Sequence, residues 1–469
     1  MGVSIMQLYK KLFAISVLIS SSAFWIPQAQ AIPAFARQTG MACDACHFQH
    51  FPVLNSFGRA FKEGGFTMVG SEDTIKGDLG FSIPVVLNAA IEAYSGYTKT
   101  NGPSTNSPNP SPVTATNKNT NNGQFSALSS SSVFFGGRVG EHVGFEAELN
   151  IYPTPAGLLN YKLPMVFDAG SAKVGGVIYS TAVYGPSFGL EVMNTGANGV
   201  HLFNQFDQKT ISAQQYLNTG VPAQGIDLIA SNENGFAVLG KWMPDQLASS
   251  GSPTSNYLRL AATPSDLIPG FDFGVGVQLW SGTAASTCDV AGIVGGNCAS
   301  APAQFIGNPF AGASPAAGVF DTKASAVDAQ LLGDVGGLPL TLIASYARAP
   351  SSGAPTGGNS GNDFQGNLFN PGTATRSSFN MGAELSVTPR VTLQAGLRRA
   401  NSGFALGSTS NATDNAMLVG ATYKISLNVR TDLTFSKYSG DMYNSASQAA
   451  QGPAYMGDSL TTLYLIAAF

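Results

Sequence analysis

The sequence has few charged residues, few cysteines and few histidines for its length of 469 residues. Asp, Glu, Lys and Arg make up 11% of the chain, against roughly 25% in an ordinary soluble domain. The surface is therefore not expected to be a charged shell, while 44% apolar residues argue against disorder. The formal net charge of −4 is too small to indicate a nucleic-acid or acidic partner.

Long apolar runs are also missing. Beyond the first residues, no stretch reaches the roughly 18 uninterrupted apolar residues that a membrane-spanning helix needs. At the start, Lys10 and Lys11 precede the run "LFAISVLISSSAFWI", which is followed by the small-residue pattern "AQA" ending at Ala31. This order is typical of a cleaved export signal. The sequence therefore predicts a signal peptide over residues 1–31 and a mature protein without inner-membrane helices.

From about residue 78 onward, segments of some ten residues alternate between apolar and polar side chains, as a tilted strand crossing a bilayer does. Examples are "VGFEAELNIY", "FDFGVGVQLW", "SFNMGAELSV", "VTLQAGLRRA" and "VRTDLTFSKY". The last residues, "LTTLYLIAAF", alternate in the same way and end on Phe469, which resembles the terminal strand of outer-membrane barrels. A soluble β-sandwich would also alternate.

The lengths of the links discriminate between these two folds. Short links alternate with long links rich in Gly, Ser, Asn and Pro, which is the signature of a bacterial outer-membrane barrel. The predicted short links are 140–142, 264–270, 333–337 and 388–390, and the long ones are roughly 94–128, 153–172, 194–224, 282–322, 349–375, 401–413 and 439–457. We therefore predict an all-β transmembrane barrel of about 16 antiparallel strands over residues 73–469, in the lipid of the outer membrane. Residues 173–193 are where a strand pair is hardest to count.

A barrel of this size encloses a lumen wide enough for water or for a plug of polypeptide. The predicted inward face carries mixed charge. We interpret these charges as solvating the pore wall and cross-linking the strands, with a substrate path as the alternative. They are Glu146, Glu148, Asp272, Glu384, Arg398, Arg430 and Asp432.

The chain has only four cysteines. Cys288 and Cys298 lie in one long link, and in an exported protein they are expected to form a local disulfide. The other two, Cys43 and Cys46, belong to the stretch "MACDACHFQH" over residues 41–50. A redox disulfide, a zinc site and a haem attachment site are the three alternatives for this motif.

The spacing Cys43-x-x-Cys46-His47 is the attachment signature of c-type haem, with two thioether bonds and an axial histidine ligand. A redox disulfide of this spacing belongs in a βαβ context, and zinc needs a fourth ligand for which only His50 is near. The position directly after an export signal favours haem. The motif therefore predicts one covalent haem c in a segment over residues 32–72.

The residues after the motif are suited to covering a haem. Phe51, Leu54, Phe57 and Phe61 recur at helical spacing, Pro52 suits a first helical turn, and Gly64-Gly65 would end the helix. The alternative is that these residues form a small apolar core. In either case, a segment of about 40 residues needs a covalent or metal cross-link to be stable.

Three cationic residues, Arg37, Arg59 and Lys62, are candidate partners of the haem propionates. Met68 is the candidate sixth ligand of the iron, with His142 as a further option. On the predicted helix, His50 would share a face with His47 and could not reach the opposite side of the iron.

Residues 32–70 resemble the N-terminal haem segment of the fused monohaem cytochrome and porin proteins of the outer membrane of iron-oxidising bacteria. The resemblance lies in "FARQTG" before the haem motif and in "FP…L…FGRAFK…GF" after it. It implies that Cys43 and Cys46 attach the haem, that His47 ligates the iron, and that the segment lies in or at the periplasmic mouth of the barrel.

The resemblance also implies electron transfer from an extracellular reductant, typically Fe(II), to a periplasmic c-type cytochrome, with Fe(II) oxidase activity as the corresponding reaction. Two alternatives stay open. One is a diffusion porin whose haem segment is a plug or a redox sensor, and the other is a conduit that exports electrons. The donor itself is not evident, because the link 94–128 contains no acidic residue.

Overall fold

The computed structural model describes fourteen stretches of the chain. They are residues 34–70, 73–78, 81–85, 88–102, 123–152, 157–195, 201–244, 252–264, 267–285, 319–352, 366–370, 372–406, 408–444 and 457–469. The predicted signal peptide and the predicted disulfide between Cys288 and Cys298 lie outside the described residues.

The described residues are mostly in strands. In chain order these are β1 (Thr74–Lys76), β2 (Ser82–Pro84), β3 (Ala89–Thr100), β4 (Gln124–Arg138), β5 (Gly144–Tyr152), β6 (Gly157–Ala169), β7 (Ala172–Thr181), β8 (Ala223–Asn232), β9 (Gly235–Met243), β10 (Ser255–Ala262), β11 (Phe271–Ser281), β12 (Thr283–Ala285), β13 (Val319–Asp321), β14 (Ala324–Val335), β15 (Leu338–Ala349), β16 (Arg376–Ser386), β17 (Val391–Asn401), β18 (Asn415–Lys424), β19 (Val429–Ser439) and β20 (Ser459–Ala468). The helices are α1 (Ala34–Thr39), α2 (Cys43–Cys46), α3 (Ser56–Glu63), α4 (Gln208–Ile211) and α5 (Ala213–Tyr216).

Sixteen strands form one closed barrel, and the pairs β1–β2 and β12–β13 form two small separate sheets. Every neighbouring pair is antiparallel, and β20 closes the barrel against β3 with Leu463 opposite Tyr97. The alternation of the sequence explains which face points outward. On β8, for example, Ile226 and Leu228 are exposed and Asp227 between them is buried. Apolar side chains outside and polar ones inside are what a lipid bilayer requires of a barrel.

The predicted fold and strand number are thus confirmed. Among the described residues, no helix combines the length and apolar character that a membrane-crossing helix requires.

The predicted long link 153–172 is wrong, because β6 occupies most of it and a tight turn at residues 170–171 leads into β7. Pro164 and the "PTPAG" stretch before the strand suggested a loop. Pro164 lies opposite Val177 of β7, while on its other side the regular pairing with β5 has already stopped at Lys162. Pro164 has no backbone N–H to donate, and at this position no hydrogen bond to the neighbouring strand requires one. Strands β3 and β4 likewise extend into the predicted link 94–128.

Short turns join the strands at one end of the barrel, which in an outer-membrane barrel is the periplasmic end. The described residues of these turns are 139–143, 170–171, 233–234, 263–264 with 267–270, 336–337, 387–390 and 425–428. The N-terminal segment, residues 34–70, lies inside this end. Its Cys43 Sγ is 3.3 Å from Asn428 Oδ1 in one short turn, and Gln49 Nε2 donates to the carbonyl oxygen of Pro339 beside another at 2.8 Å.

A second part of the chain also lies in the lumen. The described residues of the link between β7 and β8, 182–195 and 201–222, fold inward and carry α4 and α5; we call them the inward segment. Its Asn194 amide N–H donates to Gln330 Oε1 of β14 at 2.6 Å, and its Ala213 N–H donates to Ser345 Oγ of β15 at 2.9 Å. Val53 of the N-terminal segment packs in one buried cluster with Leu202 of the inward segment. The two segments therefore meet inside the barrel.

The helix after the cysteine motif begins later than predicted. Helix α3 starts at Ser56 because the Asn55 side chain caps it by accepting a hydrogen bond from the Gly58 N–H. Phe51 and Pro52 lie in a turn instead of the first helical turn. Its end is as predicted, with Gly64 following the last helical residue.

Candidate functional site

The cysteine motif borders a cavity of about 570 Å³ in the periplasmic half of the barrel. Cys43, Cys46 and His47 all line this cavity, which we call the inner cavity. Its volume lies within the range of roughly 300–1,000 Å³ typical of small-molecule and cofactor sites. Much of the wall is apolar and comes from the N-terminal segment, where the ring of Phe35 stacks on that of Phe66 with 4.8 Å between centroids.

Close packing fixes the motif in place. Helix α3 crosses directly over the end of α2, and a Cβ atom at Gly58 would come within 2.3 Å of the Cys46 carbonyl oxygen. That oxygen also accepts a hydrogen bond from the Asn55 N–H at 3.0 Å. Only glycine permits this approach. Both thiols are free, and burial raises the pKa of each.

His47 lies just after α2 in an extended conformation, with φ −110° and ψ 133°, and pairs with Leu54 in a short bridge. Its ring packs edge-on against Phe51, with 5.3 Å between centroids. The Nδ1 atom is buried and has no hydrogen-bond partner among the described residues. Burial lowers the pKa of His47 to about 4, so the imidazole is neutral, which is the form that binds metals.

The prediction that His50 shares a helical face with His47 is wrong, because residues 48–50 form a bend. His50 Nε2 lies 2.9 Å from Glu384 Oε1, and its Nδ1 lies 2.6 Å from Arg430 Nη1. Both ring nitrogens are therefore held by the barrel wall, although the ring itself borders the inner cavity. His50 anchors the N-terminal segment to β16 and β19.

The three candidate propionate partners do different things. Arg59 donates two hydrogen bonds to the Asp272 carboxylate of β11, at 2.6 and 2.8 Å, and Arg37 donates to the carbonyl oxygen of Ala89. Only Lys62 lines the inner cavity. Burial and the nearby Lys162 ammonium lower the pKa of Lys62 to about 7. An anionic group in the cavity would offset this buried charge.

The structure brings a residue to the inner cavity that sequence reasoning missed. His201 belongs to the inward segment, is 5% exposed and lines the cavity together with His47. Its Nδ1 lies 3.3 Å from the Met193 carbonyl oxygen, and its Nε2 accepts a hydrogen bond from Lys62 Nζ at 3.1 Å. An Nδ1–H held by a backbone carbonyl is the arrangement that orients a metal-binding histidine through Nε2. No local pattern around position 201 signals this role.

The other candidate iron ligands lie elsewhere. Met68 is 43% exposed and is not among the residues that line the inner cavity. The ring of His142 packs on Phe167 at 4.8 Å, also outside the cavity. Met41 is the methionine that borders it among the described residues. Within the described stretches of the chain, no group of three or more His, Cys, Asp or Glu side chains is placed to hold a metal ion.

The predicted lumen charges act as cross-links. Each has a partner in the wall or in one of the two inner segments. The pairs are Glu146 with Lys162, Glu148 with Asn160, Asp272 with Arg59, Glu384 with His50, Arg398 with Asp414 and Arg430 with Asp432.

One further cross-link was not predicted. Arg259 of β10 is fully buried and pairs with Glu191 of the inward segment at 3.1 Å and with Asp328 of β14 at 2.8 Å. The wall charges therefore hold the lumen contents in place.

No protein-family model matches the sequence, and no curated protein matches it. Solved structures of similar shape are outer-membrane proteins. OmpT of Vibrio cholerae is 9% identical, with a TM-score of 0.45 over 85% of this chain and 100% of that chain. OmpF of Salmonella typhi, in complex with daunomycin, is 11% identical, with a TM-score of 0.47 over 85% and 100%. OccAB1 of Acinetobacter baumannii is 11% identical, with a TM-score of 0.44 over 81% and 96%. The barrel class rests on the closed sheet itself.

Proposed function

We propose that this protein is an outer-membrane electron conduit that carries one covalent haem c in the inner cavity. The observation that supports it is the meeting of all three residues of a haem-attachment motif at one cavity inside a membrane-spanning barrel. In this proposal Cys43 and Cys46 would hold the haem through thioether bonds, and His47 would ligate its iron. When bound, the haem supplies an iron that alternates between ferric and ferrous states, which makes it a one-electron carrier.

The residues of the cavity fit such a group. Apolar walls from Phe35, Phe61 and Phe66 exclude water, while Lys62 and Arg430 offer positive charge for propionates. His47 has a buried nitrogen without a partner. His201 replaces Met68 as our proposed second ligand of the iron, because it lines the same cavity and Met68 does not. Its Nε2 would become available for this role as Lys62 Nζ, which lies 3.1 Å away, turned toward the propionates.

A filled lumen favours electron transfer over solute diffusion. The N-terminal segment and the inward segment meet through the buried cluster around Val53, and Asn194 bonds to both the N–H and the carbonyl of Leu54 at 2.8 Å. Electrons can cross such a packed interior, whereas a hydrated solute needs a continuous water path. The second candidate function is a diffusion porin whose haem segment is a plug or redox sensor, and the sixteen-stranded barrel supports it.

In the conduit, an extracellular reductant, with Fe(II) as the expected metal, supplies electrons from the end with the long links. A periplasmic c-type cytochrome would take them at the end with the short turns, where Cys43 lies beside Asn428. The Fe(II) oxidase activity would be this outer-sphere electron transfer, in which no bond forms between the donor and the haem iron.

Anaerobic Fe(II) added to the purified protein is expected to convert the oxidised haem c spectrum to the reduced one. In proteoliposomes, external Fe(II) should then reduce cytochrome c trapped inside, while sugar flux, measured by liposome swelling, stays at the level of empty liposomes. A haem that remains oxidised would contradict Fe(II) oxidation. Rapid sugar flux would favour the diffusion porin.

Replacing His201 with alanine is expected to convert a low-spin ferric haem to a high-spin one, because the second axial ligand is lost. Absorption and electron paramagnetic resonance spectra measure this change without any turnover. His142→Ala is the matched control and should keep the low-spin spectrum, since His142 packs on Phe167 outside the inner cavity. A low-spin spectrum retained in His201→Ala would reject His201, and the variants Met41→Ala and Met68→Ala would then identify the ligand.

A further inference from the structure

A second cavity of about 500 Å³ lies at the opposite end of the lumen, and we call it the outer cavity. Its walls include Phe404 and Tyr443 from the long links 402–414 and 440–458, and Thr100 and Ser459 from strand ends on the same side. These positions place it on the extracellular side of the barrel, because the inner cavity borders the short turn 425–428.

The two cavities lie on either side of one layer of the inward segment. Gln205, Phe206 and Gln208 line both of them. The Phe206 ring stacks flat on Tyr464 of β20, with 3.4 Å between centroids, and meets Tyr94 of β3 edge-on at 5.9 Å. A molecule in the outer cavity would therefore be separated from the inner cavity by a single aromatic layer.

The outer cavity is positively charged, although the whole chain is net negative. Among the residues that the structure describes, three cationic side chains line it, Lys209, Arg376 and Arg398, against two acidic ones, Asp207 and Asp414. The cations therefore exceed the acids by one. A cavity of this sign inside a low-dielectric wall attracts anions and repels cations.

Both acidic groups are already engaged. Asp207 Oδ2 accepts hydrogen bonds from Thr210 Oγ1 at 2.7 Å and from Ser436 Oγ at 2.5 Å. Asp414 pairs with Arg398 and accepts a hydrogen bond from the Tyr443 hydroxyl at 3.2 Å. Neither carboxylate is thus arranged as a ligand for a cation in the cavity.

The remaining cations are held in position. The Arg376 guanidinium donates to the Tyr216 carbonyl oxygen and lies over the Tyr216 ring, with 4.7 Å from Cζ to the centroid. Helix α4 is anchored to β16, because Asn380 Nδ2 donates to the Lys209 carbonyl oxygen at 2.7 Å. The Lys209 side chain is exposed. The outer cavity therefore offers an anchored guanidinium and an exposed ammonium.

We propose that the outer cavity binds a small anion. Resting on the proposed conduit function, we further infer that the preferred electron donor is an anionic reductant, such as a carboxylate chelate of Fe(II), which reacts faster than the free Fe²⁺ cation. In the step this implies, the donor iron passes from ferrous to ferric as the haem iron passes from ferric to ferrous. One electron moves, and no proton or bond is exchanged.

The binding part can be tested without electron transfer by two cobalt(III) complexes of similar size and opposite charge, with the protein kept in its oxidised form. Isothermal titration calorimetry of the purified full chain is expected to show saturable binding of hexacyanocobaltate(III) and none of hexaamminecobalt(III). Lys209→Glu should raise the Kd of the anion by about 10-fold or more, since charge reversal near the ligand replaces attraction with repulsion. Lys209→Gln should have an intermediate effect.

Lys173→Glu is the matched control, because it makes the same charge change at an exposed ion pair with Asp168 near the opposite end. It should leave the Kd of the anion within about 2-fold. Absence of anion binding, or an equal loss in the Lys173 and Lys209 variants, would overturn the anion site. Since neither complex reacts with oxidised haem, a failure of the conduit function would leave this result intact.

The donor part is tested by the initial rate of haem reduction at low ionic strength. Reduction by anionic Fe(II)–EDTA should slow by about 10-fold in Lys209→Glu, and added salt should remove most of the difference. Reduction by the Fe²⁺ aqua ion should not slow. Equal slowing with both donors would overturn the inference that the donor is anionic.

Discussion

Replacing both motif cysteines, Cys43 and Cys46, with serine is expected to reduce covalent haem in the outer-membrane fraction to background. Serine hydroxyls cannot form the thioether bonds of c-type haem, and the motif is the only Cys-x-x-Cys-His spacing in the sequence. Peroxidase-based haem staining of a denaturing gel measures the covalent fraction, because denaturation removes haem that is bound only by its axial ligands. An antibody against the barrel measures the amount of protein in the same lanes.

The matched control is the double variant Cys288→Ser and Cys298→Ser. It removes the same number of cysteines from a different part of the chain and should leave haem staining unchanged. Staining that persists in the motif variant would reject the haem site and, with it, the conduit. The antibody signal would distinguish loss of haem from loss of the protein itself. If the protein were lost, haem staining of the single variant Cys43→Ser would be compared with that of the wild type.

Replacing Arg259 with methionine is expected to lower the free energy of unfolding by about 3–5 kcal/mol, because one partner of a buried ion cluster is lost. The Arg259 side chain is 0% exposed, and Glu191 and Asp328 beside it are 1% and 0% exposed. Without the guanidinium, two carboxylates remain buried without their cation. Urea titration of the protein in lipid vesicles, followed by tryptophan fluorescence, measures the change.

The same substitution is expected to loosen the inward segment, because Glu191 belongs to it and Arg259 holds it to the wall. Ionic conductance in planar bilayers should therefore rise above that of the wild type. Lys173→Met is the control: its ion pair with Asp168 is exposed, so the loss should stay below about 1 kcal/mol. An unchanged free energy of unfolding in Arg259→Met would show that the ion cluster makes no net contribution to stability.

The barrel could be predicted because its two determinants are local. Alternation with period two fixes the faces of each strand, and the lengths of the links fix the two ends of the barrel. Where local signals conflict with pairing, the prediction fails. Pro164 signals a loop, but it lies beyond the regular pairing of β5, so the strand continues. In the same way, apolar spacing from Phe51 to Phe61 suggested one helix, while the Asn55 cap starts α3 only at Ser56.

The site could be predicted only in part, because its residues come from distant positions. Cys43, Cys46 and His47 are a contiguous motif and are visible in the sequence. His201 is 154 positions from His47 and reaches the inner cavity only because the inward segment folds into the lumen. The role of His50 depends on Glu384, 334 positions away. Such contacts carry no local pattern, so no spacing rule could have found them.

Contacts over long distances in the sequence attach the N-terminal segment to the barrel wall. Arg59 reaches Asp272 across 213 positions, and Cys43 reaches Asn428 across 385. The segment has too few residues to bury a core of its own, and the barrel interior supplies the missing surface. The conformation of the segment therefore depends on the barrel wall around it. A substitution in β11 or β16 can therefore shift the motif, because Asp272 and Glu384 on these strands hold the N-terminal segment.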